Sequence, residues 1–411
     1  MGILNGMRVV EGSAFVAIPL AGMTLAQMGA EVIRFDRLEG GLDAARWPVA
    51  KTGQSLFWAG LNKGKKSVAV DMKSPEGREL ITQIITAPGD DAGLFLTNLR
   101  VRGWMDHPTL SAHRPDLVMV TLLGDRHGRP QVDYTVNPAM GFPDATGPEG
   151  STEPVAHVLP AWDCIAGNMA VSALLAAERH RLRTGQGQEV VFSLKDAAAA
   201  MMGNLGIIGE VCVNGVDRPK SGNALYGGYG QDFLCADGER VMVIGLTGRQ
   251  WAGLVSVTGM GDAMALLERR IGESLTDEGA RFRHRAAITA VLAPFFATRR
   301  VDDFAAAFDK AGVTWSRFRS FARAVREDPD LSPANPMFAE VDQPGLGRYP
   351  VPGTPFAFSA MAREAPTPAP VLGAHTEEVL ADVAGLSAMQ IARLYDKGVV
   401  AGPRPWQRIA V

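Results

Sequence analysis

The sequence contains few cysteines, little net charge and no long apolar run, and each shortage excludes a class of protein. Its three cysteines, Cys164, Cys212 and Cys235, are scattered and lack the spacing of metal ligands. So few cysteines exclude a disulfide framework and favour a reducing compartment. Because no apolar run reaches the length of a membrane span and the N-terminus lacks a basic leader with an apolar core, we expect a soluble cytoplasmic protein.

Two further absences narrow the function. The formal net charge of -3 gives no reason to expect nucleic acid or an anionic membrane as a partner. The glycine-spaced phosphate turn of dinucleotide-binding proteins is also missing, because the first strand-like segment is followed by EGSAFVAIPLAG. A nicotinamide dehydrogenase is therefore disfavoured, and we expect neither a bound metal nor a prosthetic group.

The first half of the chain alternates strand-like and helix-like segments. Buried strands are predicted at MRVVEGSA, EVIRFD, SVAVDM, GLFLTN and LVMVTLLG. Helices are predicted at PLAGMTLAQMGA, opened by Pro19, and at SPEGRELITQIITA, with Ser74 as its cap. This alternation predicts an α/β protein with a parallel sheet covered by helices on both faces.

A long helix is predicted from Asp163 to Arg183. Small residues recur along it at three- and four-residue steps and permit close approach of a neighbouring element: Gly167, Ala170, Ala173 and Ala177. The strand EVVFSL and a single helix over KDAAAAMMGNLGIIGEV follow, and residues of about 225 to 330 form a separate, smaller α/β unit. The tail is rich in proline and closes with a helical EEVLADVAGLSAMQIARLYDKG.

Asp163 lies where the extended segment LPAW turns into this long helix. An aspartate at a helix start is usually a cap, because its side chain accepts a bond from a free backbone amide. A carboxylate at that position can also act as a nucleophile. The residues alone leave both interpretations open.

Several segments in the right order resemble the class III CoA-transferase family along nearly the whole chain. They are PLAGMTLAQMGAEVIRFD, LNKGKKSVAVDMKSPEGRELI, WDCIAGNMAVSALLAAERHRLRTGQGQEVVFSLKDA, PGLGRYPVPGTPFAFS, APVLGAHTEEVLADVAGLS and IARLYDKGVV. The resemblance implies an interlocked homodimer in which each subunit combines a Rossmann-like large domain with a smaller domain. It implies a large domain over 1–224, a small domain over 225–330, and a segment 331–411 that returns to the large domain.

The resemblance also implies an activity. Segments such as VVEGSAF, RWPV, SLFWAGLNKGKKS and VDYTVNPAMGFPDATGPEG are similar to the branch that moves CoA between the two carboxyl groups of one methylfumaryl (mesaconyl) unit. We expect conversion of 2-methylfumaryl-CoA into 3-methylfumaryl-CoA. Two alternatives stay open: an intermolecular transferase that passes CoA from succinyl-CoA to an acid such as mesaconate, and a CoA-binding protein without turnover.

By resemblance, Asp163 is the catalytic nucleophile. Its carboxylate attacks the thioester to form a mixed anhydride, and the CoA thiolate then attacks the aspartyl carbonyl to give an aspartyl-CoA thioester. At a helix start, we expect the helix field to favour the ionised carboxylate by about 0.3–1 kcal/mol. We also expect free helix amides to stabilise an oxyanion.

The CoA thioester is the expected substrate, and its phosphates call for cations. The residues that the resemblance places at the CoA site, together with two nearby arginines as candidate phosphate ligands, are Val16, Ala17, Arg37, Lys73, Asn98, Arg100 and Arg102. The run formed by Lys63, Lys65 and Lys66 is more typical of a solvated face.

The carboxylate that is not esterified needs donors of its own. Candidates in the segments particular to this branch are Arg46, Tyr134, Asn137 and His157, with a structural role more typical of the histidine. The loop GNALYGGYGQDF resembles the family's glycine flap, with Gly227, Gly228 and Gly230. The racemase branch has a catalytic histidine in the stretch that here reads VDYTVN, so racemisation is disfavoured.

Overall fold

The computed structural model describes residues 2–403. The strands are β1 (Arg8–Gly12), β2 (Glu31–Asp36), β3 (Lys66–Val70), β4 (Leu94–Thr97), β5 (Val118–Leu123), β6 (Gln188–Ser193), β7 (Gly230–Leu234), β8 (Arg240–Ile244), β9 (Thr314–Arg317), β10 (Phe338–Gln343), β11 (Gly347–Pro352) and β12 (Val400–Ala401).

The first nine helices are α1 (Ala17–Gln27), α2 (Leu56–Leu61), α3 (Pro75–Ile85), α4 (His107–His113), α5 (Asp133–Ala139), α6 (Phe142–Ala145), α7 (Ala161–Thr184), α8 (Leu194–Asn204) and α9 (Ile207–Asn214). The others are α10 (Gly248–Thr258), α11 (Gly261–Ile271), α12 (Glu278–Arg283), α13 (Arg285–Ala297), α14 (Val301–Ala311), α15 (Phe321–Glu327), α16 (Thr376–Asp382) and α17 (Ala388–Asp396). A 3-10 turn lies at Pro329–Leu331.

The main sheet has seven strands in the order β12-β3-β2-β1-β4-β5-β6. All pairs are parallel except β12, which runs antiparallel to β3 at one edge. The predicted parallel sheet is therefore confirmed. The chain winds outward from β1 in one direction and from β4 in the other, so the carboxyl ends of these two strands form the switch point where ligands of such sheets bind.

The strands of this sheet are apolar on both faces because helices cover both sides. Val9, Ile33 and Val68 are fully buried or nearly so. On one face α1 and α7 lie close together, and the small residues of α7 make this possible. A side-chain carbon at Gly167 would lie 2.6 Å from the backbone oxygen of Ala17, so only glycine permits this separation.

Several predicted helix boundaries differ from the structure, including that of the long helix, which runs over Ala161–Thr184. The helix opened by Pro19 begins two residues earlier, at Ala17. The single helix predicted after β6 is divided into α8 and α9 at Gly206, whose φ of 77° ends the first helix. The closing helix is divided into α16 and α17 at Gly385, which has a φ of 68°. The Ser74 cap of α3 is confirmed, because its side chain accepts a bond from the Gly77 amide.

Within residues 2–403, no single helix is long and apolar enough to cross a membrane. The bent pair α8 and α9 meets that requirement of length and composition only when both helices are taken together.

The chain forms two compact units. The first contains the residues up to Met140, then Val158–Gly209, then the chain from Asp328 onwards; the second contains Gly141–His157 and Glu210–Glu327. The boundary before Asp328 is close to the predicted division after residue 330, whereas the second unit begins at Glu210 instead of 225 and also includes Gly141–His157. Residues 404–411 of the predicted returning segment lie outside the described residues.

Segment 141–157 belongs to the second unit because a buried lysine holds it there. Lys220 Nζ donates to the backbone oxygens of Pro143 and Thr146, and the Gly222 amide donates to the Gly147 oxygen at 3.0 Å. Because the segment has little regular hydrophobic pattern, the sequence did not predict that it belongs to the second unit. The core of this unit is an antiparallel sheet of β7, β8 and β9 with stacked phenylalanines such as Phe233 and Phe296.

Candidate active site

Asp163 lies in the first turn of α7 but is not its cap. The helix begins at Ala161, and the cap position is occupied by Pro160, which makes no side-chain bond to the helix. The carboxylate of Asp163 is partly buried. The interpretation of Asp163 as a simple helix cap is therefore wrong.

The amides at the start of α7 are already occupied. Asp133, the first residue of α5, accepts hydrogen bonds at Oδ2 from the amides of Trp162 at 2.7 Å and Asp163 at 3.3 Å. The Ala161 and Cys164 amides donate to backbone oxygens of the preceding turn. The expectation that these amides stabilise an oxyanion is therefore wrong, because their hydrogen atoms already have acceptors.

The surroundings of Asp163 disfavour its charge. Burial, reinforced by the nearby Asp133, raises the pKa of the Asp163 carboxyl to about 7, and Arg46 opposes this increase. Burial and Asp133 therefore outweigh any stabilisation by the helix field, and the expected contribution of about 0.3–1 kcal/mol from that field stays a prediction. A pKa of about 7 places the protonated and ionised forms of Asp163 in comparable amounts near neutral pH.

Arg46 is the cation at this site. Its guanidinium lies over the rings of Phe15 and Phe57, at 5.2 Å and 5.3 Å from their centroids. Phe15 has a φ of 66°, a left-handed conformation that is rare for a bulky residue. The arginine is exposed, so its charge is held in place by two aromatic faces while its donors remain accessible.

The loop between β1 and α1 contains Val16 and Ala17. Val16 occupies the cap position of α1, and both side chains are buried. Asn98, after β4, holds the loop: its Oδ1 accepts from the Ala14 amide at 3.0 Å and its Nδ2 donates to the Ala14 oxygen at 2.9 Å. Asn98 thus joins the two strands at the switch point of the sheet.

A cavity of about 800 Å³ opens at the carboxyl ends of these strands. It is lined by Ser13, Ala14, Phe35, Asp36, Arg37, Glu39, Gly40, Gly41, Leu42, Ala45, Trp47, Val49, Gly53, Met72 and Leu99. Arg37 is exposed within it, and Leu42 and Trp47 present exposed apolar side chains. Lys73 directly follows the lining residue Met72, and Arg100 directly follows Leu99. Lys73, Arg100 and Arg102 are all exposed.

The lysine run is not a solvated face, contrary to its sequence-based interpretation. Lys63 and Lys65 are buried. Lys65 Nζ lies 2.8 Å from the Glu11 carboxylate and donates to Asn62 Oδ1 at 3.0 Å. Burial lowers the pKa of Lys65 to about 8, although Glu11 opposes the decrease. The anion that permits this burial lies on β1, which no local pattern reveals.

The other candidate residues for the free carboxylate occupy different surroundings. Tyr134 is exposed on α5. Asn137 is buried on the same helix, and its Oδ1 accepts a bond from the Trp162 indole at 3.1 Å, which indicates a structural role. His157 is partly buried and belongs to the second unit.

The glycine loop also belongs to the second unit. Gly227 has a φ of 82°, which only glycine adopts readily. A side-chain carbon at Gly228 would meet Glu278, and one at Gly230 would meet Ile244 and Leu225. Glycine is therefore required at Gly227 by the backbone conformation and at Gly228 and Gly230 by close neighbouring side chains.

Sequence reasoning missed the role of Asp133. The segment VDYTVN stood out only for the racemase histidine that it lacks. The bond from Asp133 to α7 spans 30 residues, and no local pattern marks such a contact. The apolar cavity wall was missed too, although Leu42 and Trp47 in a turn-rich segment are a signal, because exposed apolar side chains often mark binding sites.

The chain is similar to known proteins over most of its length. A family model described as CoA-transferase family III matches residues 4–376. The chain is 54% identical over 403 residues to 2-methylfumaryl-CoA isomerase from Chloroflexus aurantiacus, with 98% of each chain covered. It is 28% identical to a succinyl-CoA--D-citramalate CoA-transferase from the same organism, covering 97% of this chain and 98% of the relative. A solved CAIB/BAIF family protein from Brucella suis matches with a TM-score of 0.75 at 27% identity, covering 93% of this chain and 99% of that chain.

Proposed function

The chain belongs to CoA-transferase family III, and from this we propose that it is an intramolecular CoA transferase acting on a methylfumaryl unit. It converts 2-methylfumaryl-CoA into 3-methylfumaryl-CoA. The observation that carries this assignment is the 54% identity to a 2-methylfumaryl-CoA isomerase across 98% of both chains. The identity to a transferase that uses succinyl-CoA is 28%, so the intermolecular alternative has weaker support.

Asp163 supplies the covalent chemistry of this proposal. One carboxylate oxygen attacks the thioester carbonyl and expels the CoA thiolate, which leaves a mixed anhydride. The thiolate then attacks Cγ of Asp163 and releases the dicarboxylate, which leaves an aspartyl-CoA thioester. After the acid turns around, its other carboxylate attacks this thioester and the same steps run in reverse. One thioester replaces another, so no external energy source is needed.

The cavity at the switch point is the proposed site of the CoA portion. Arg37 lies in it, and Lys73, Arg100 and Arg102 are exposed cations that directly follow or lie near its lining residues. Phosphate groups pair with such cations, and the apolar surfaces of Leu42 and Trp47 suit the adenine ring. Val16, Ala17 and Asn98 shape the loop beside it.

Arg46 is the proposed donor to the carboxylate that is not esterified. The side chain is exposed, held by two aromatic rings and close enough to Asp163 to lower its pKa. A guanidinium binds a carboxylate through two parallel bonds. Held in this way, the freed acid stays beside Asp163 while it reorients.

We also propose a cytoplasmic homodimer. The segment around α9 exposes apolar side chains that a second copy of the chain would cover: Leu205, Ile208, Val211, Val213 and Val216. Helix α9 buries none of its own residues, which supports an intermolecular role for it. The free cysteines and the acyl-CoA substrate are typical of the cytoplasm.

The test is to incubate the purified protein with 2-methylfumaryl-CoA alone and to separate the positional isomers by chromatography. We expect 3-methylfumaryl-CoA to form without any added acid. A parallel reaction contains labelled free mesaconate. Efficient incorporation of label into the product, or a requirement for a second acid, would replace this proposal with the intermolecular alternative.

A further inference from the structure

Asp133 is a buried acid that the proposed chemistry does not use. It is 2% exposed and accepts bonds from the amides of Trp162 and Asp163. A second link joins the same elements, because the Trp162 indole donates to Asn137 of α5. These contacts fix the Asp133 carboxylate at the start of α7, beside that of Asp163.

The charged groups that act on Asp163 are few. Asp133 faces it from α5, and Arg46 faces it from the segment between β2 and α2. On α7 itself the neighbouring Cys164 has its pKa raised by burial, by Asp163 and by Asp133. Helix α1, which packs along α7, carries no titratable side chain. The other titratable side chains on elements packed against α7 are Tyr134 on α5, Glu189 on β6, and Lys195 and Asp196 on α8.

We propose that Asp133 is a positioning residue that keeps Asp163 reactive. It takes the two helix amides that would otherwise stabilise the Asp163 carboxylate, and it sets a second negative charge beside that carboxylate. This inference rests on the proposed function of Asp163 as nucleophile. The direction of the pKa of Asp163 agrees with it, since burial and Asp133 both raise that pKa.

The charge balance of the reaction explains the benefit. When Asp163 attacks the thioester carbonyl, the electron pair of the broken C–S bond leaves with sulfur, and Asp163 becomes a neutral acyl group. When the thiolate attacks Cγ, the broken C–O bond leaves its pair with the dicarboxylate, and the side chain stays neutral. Asp133 therefore destabilises the resting carboxylate but not the two covalent states.

The test compares the wild type with Asp133→Asn, which keeps an acceptor for the helix amides but removes the charge. The carboxyl carbon of Asp163 is titrated by NMR without substrate in protein labelled with ¹³C-aspartate, and its signal is identified by its loss in Asp163→Asn. We expect the pKa of Asp163 to fall by about one pH unit or more in Asp133→Asn. Above the pKa of Asp163, where the resting group is the carboxylate, the equilibrium constant for forming the enzyme-CoA adduct should fall about tenfold, since one pKa unit corresponds to a tenfold change in equilibrium.

Asp106→Asn is the matched control, because Asp106 accepts the Thr109 amide at the start of α4 in the same unit. It should leave both readouts unchanged. Asp133→Ser keeps a capping oxygen without charge and serves if Asp133→Asn does not fold. An unchanged titration in a folded variant, or loss of the fold in both variants, would identify a purely structural cap and overturn the inference. Failure of the proposed function is distinct, because the titration requires no turnover.

Discussion

Two groups of buried carboxylates lie in the first unit, one at the ends of β1 and β2 and one at the start of α7, and their charges are compensated differently. In the first group, Arg34 forms two bonds of 2.9 Å with Asp36 and lies 2.9 Å from Asp43, while Lys65 lies 2.8 Å from Glu11. These side chains are almost fully buried, so each charge depends on its partner.

Among residues 2–403, the second group has no such buried cation. Asp133 accepts the amides of Trp162 and Asp163 at the start of α7, and the cation that acts on the Asp163 carboxylate is the exposed Arg46. Of the paired carboxylates, Asp36 lines the cavity, whereas the proposed reaction of Asp163 would remove the charge that its surroundings compensate only in part. The comparison separates acids that hold the structure from the acid that we propose reacts.

The largest expected effect is on activity. Asp163→Asn removes the nucleophile but keeps the size of the side chain, so isomerisation should fall by about 10³-fold or more. Chromatography of the two positional isomers measures the rate. Asp196→Asn, an exposed acid in the first turn of the next helix, should retain normal activity. Comparable activity of the two variants would show that the Asp163 carboxylate has no special role in the reaction.

Substitutions in the first group should lower the stability of the protein. Arg34→Met leaves Asp36 and Asp43 buried without their cation, so the free energy of unfolding should fall by about 3–5 kcal/mol. Arg8→Met is the control, because its ion pair with Glu31 is about one quarter exposed and should contribute about 1 kcal/mol or less. Urea denaturation measures both. Equal losses of unfolding free energy in Arg34→Met and Arg8→Met would show that burial adds nothing to the contribution of the Arg34 ion pairs.

The carboxyl of Asp163 should lower the stability of the folded protein as the pH rises. The pKa of Asp163 is about 7 in the folded chain against 3.8 for an unperturbed aspartate. Between these values the folded state holds a proton that the unfolded state has lost, so stability decreases as pH rises. The stability advantage of Asp163→Asn over the wild type should grow by roughly 2–3 kcal/mol between pH 5 and pH 8. A constant difference in urea denaturation would contradict the raised pKa.

The smallest expected effect comes from the exposed cation. Arg46→Ala removes the group that lowers the pKa of Asp163 and the proposed donor to the free carboxylate, so kcat/KM should fall about 10- to 100-fold. The acid limb of the pH–rate profile should move to higher pH. Arg46→Lys keeps the charge without the planar donors and should lie between Ala and the wild type. Unchanged kinetics in Arg46→Ala would exclude it from the site.

Much of the first unit could be predicted because its strands are continuous apolar runs separated by helical segments. The family resemblance placed Asp163 at the centre of the site. What could not be predicted depends on contacts between distant residues. The bond from Asp133 to α7, the burial of Lys65 against Glu11, and the attachment of segment 141–157 through Lys220 all belong to this kind. Local patterns report the periodicity of a segment but not the charge of its eventual neighbour.

The most direct test of the account is to identify the covalent adduct. The enzyme is mixed with 2-methylfumaryl-CoA, quenched with hydroxylamine, digested and analysed by mass spectrometry. We predict a hydroxamate on the side chain of Asp163 that forms only when substrate is present. A hydroxamate on another carboxylate, or full turnover without any modification of Asp163, would contradict the account.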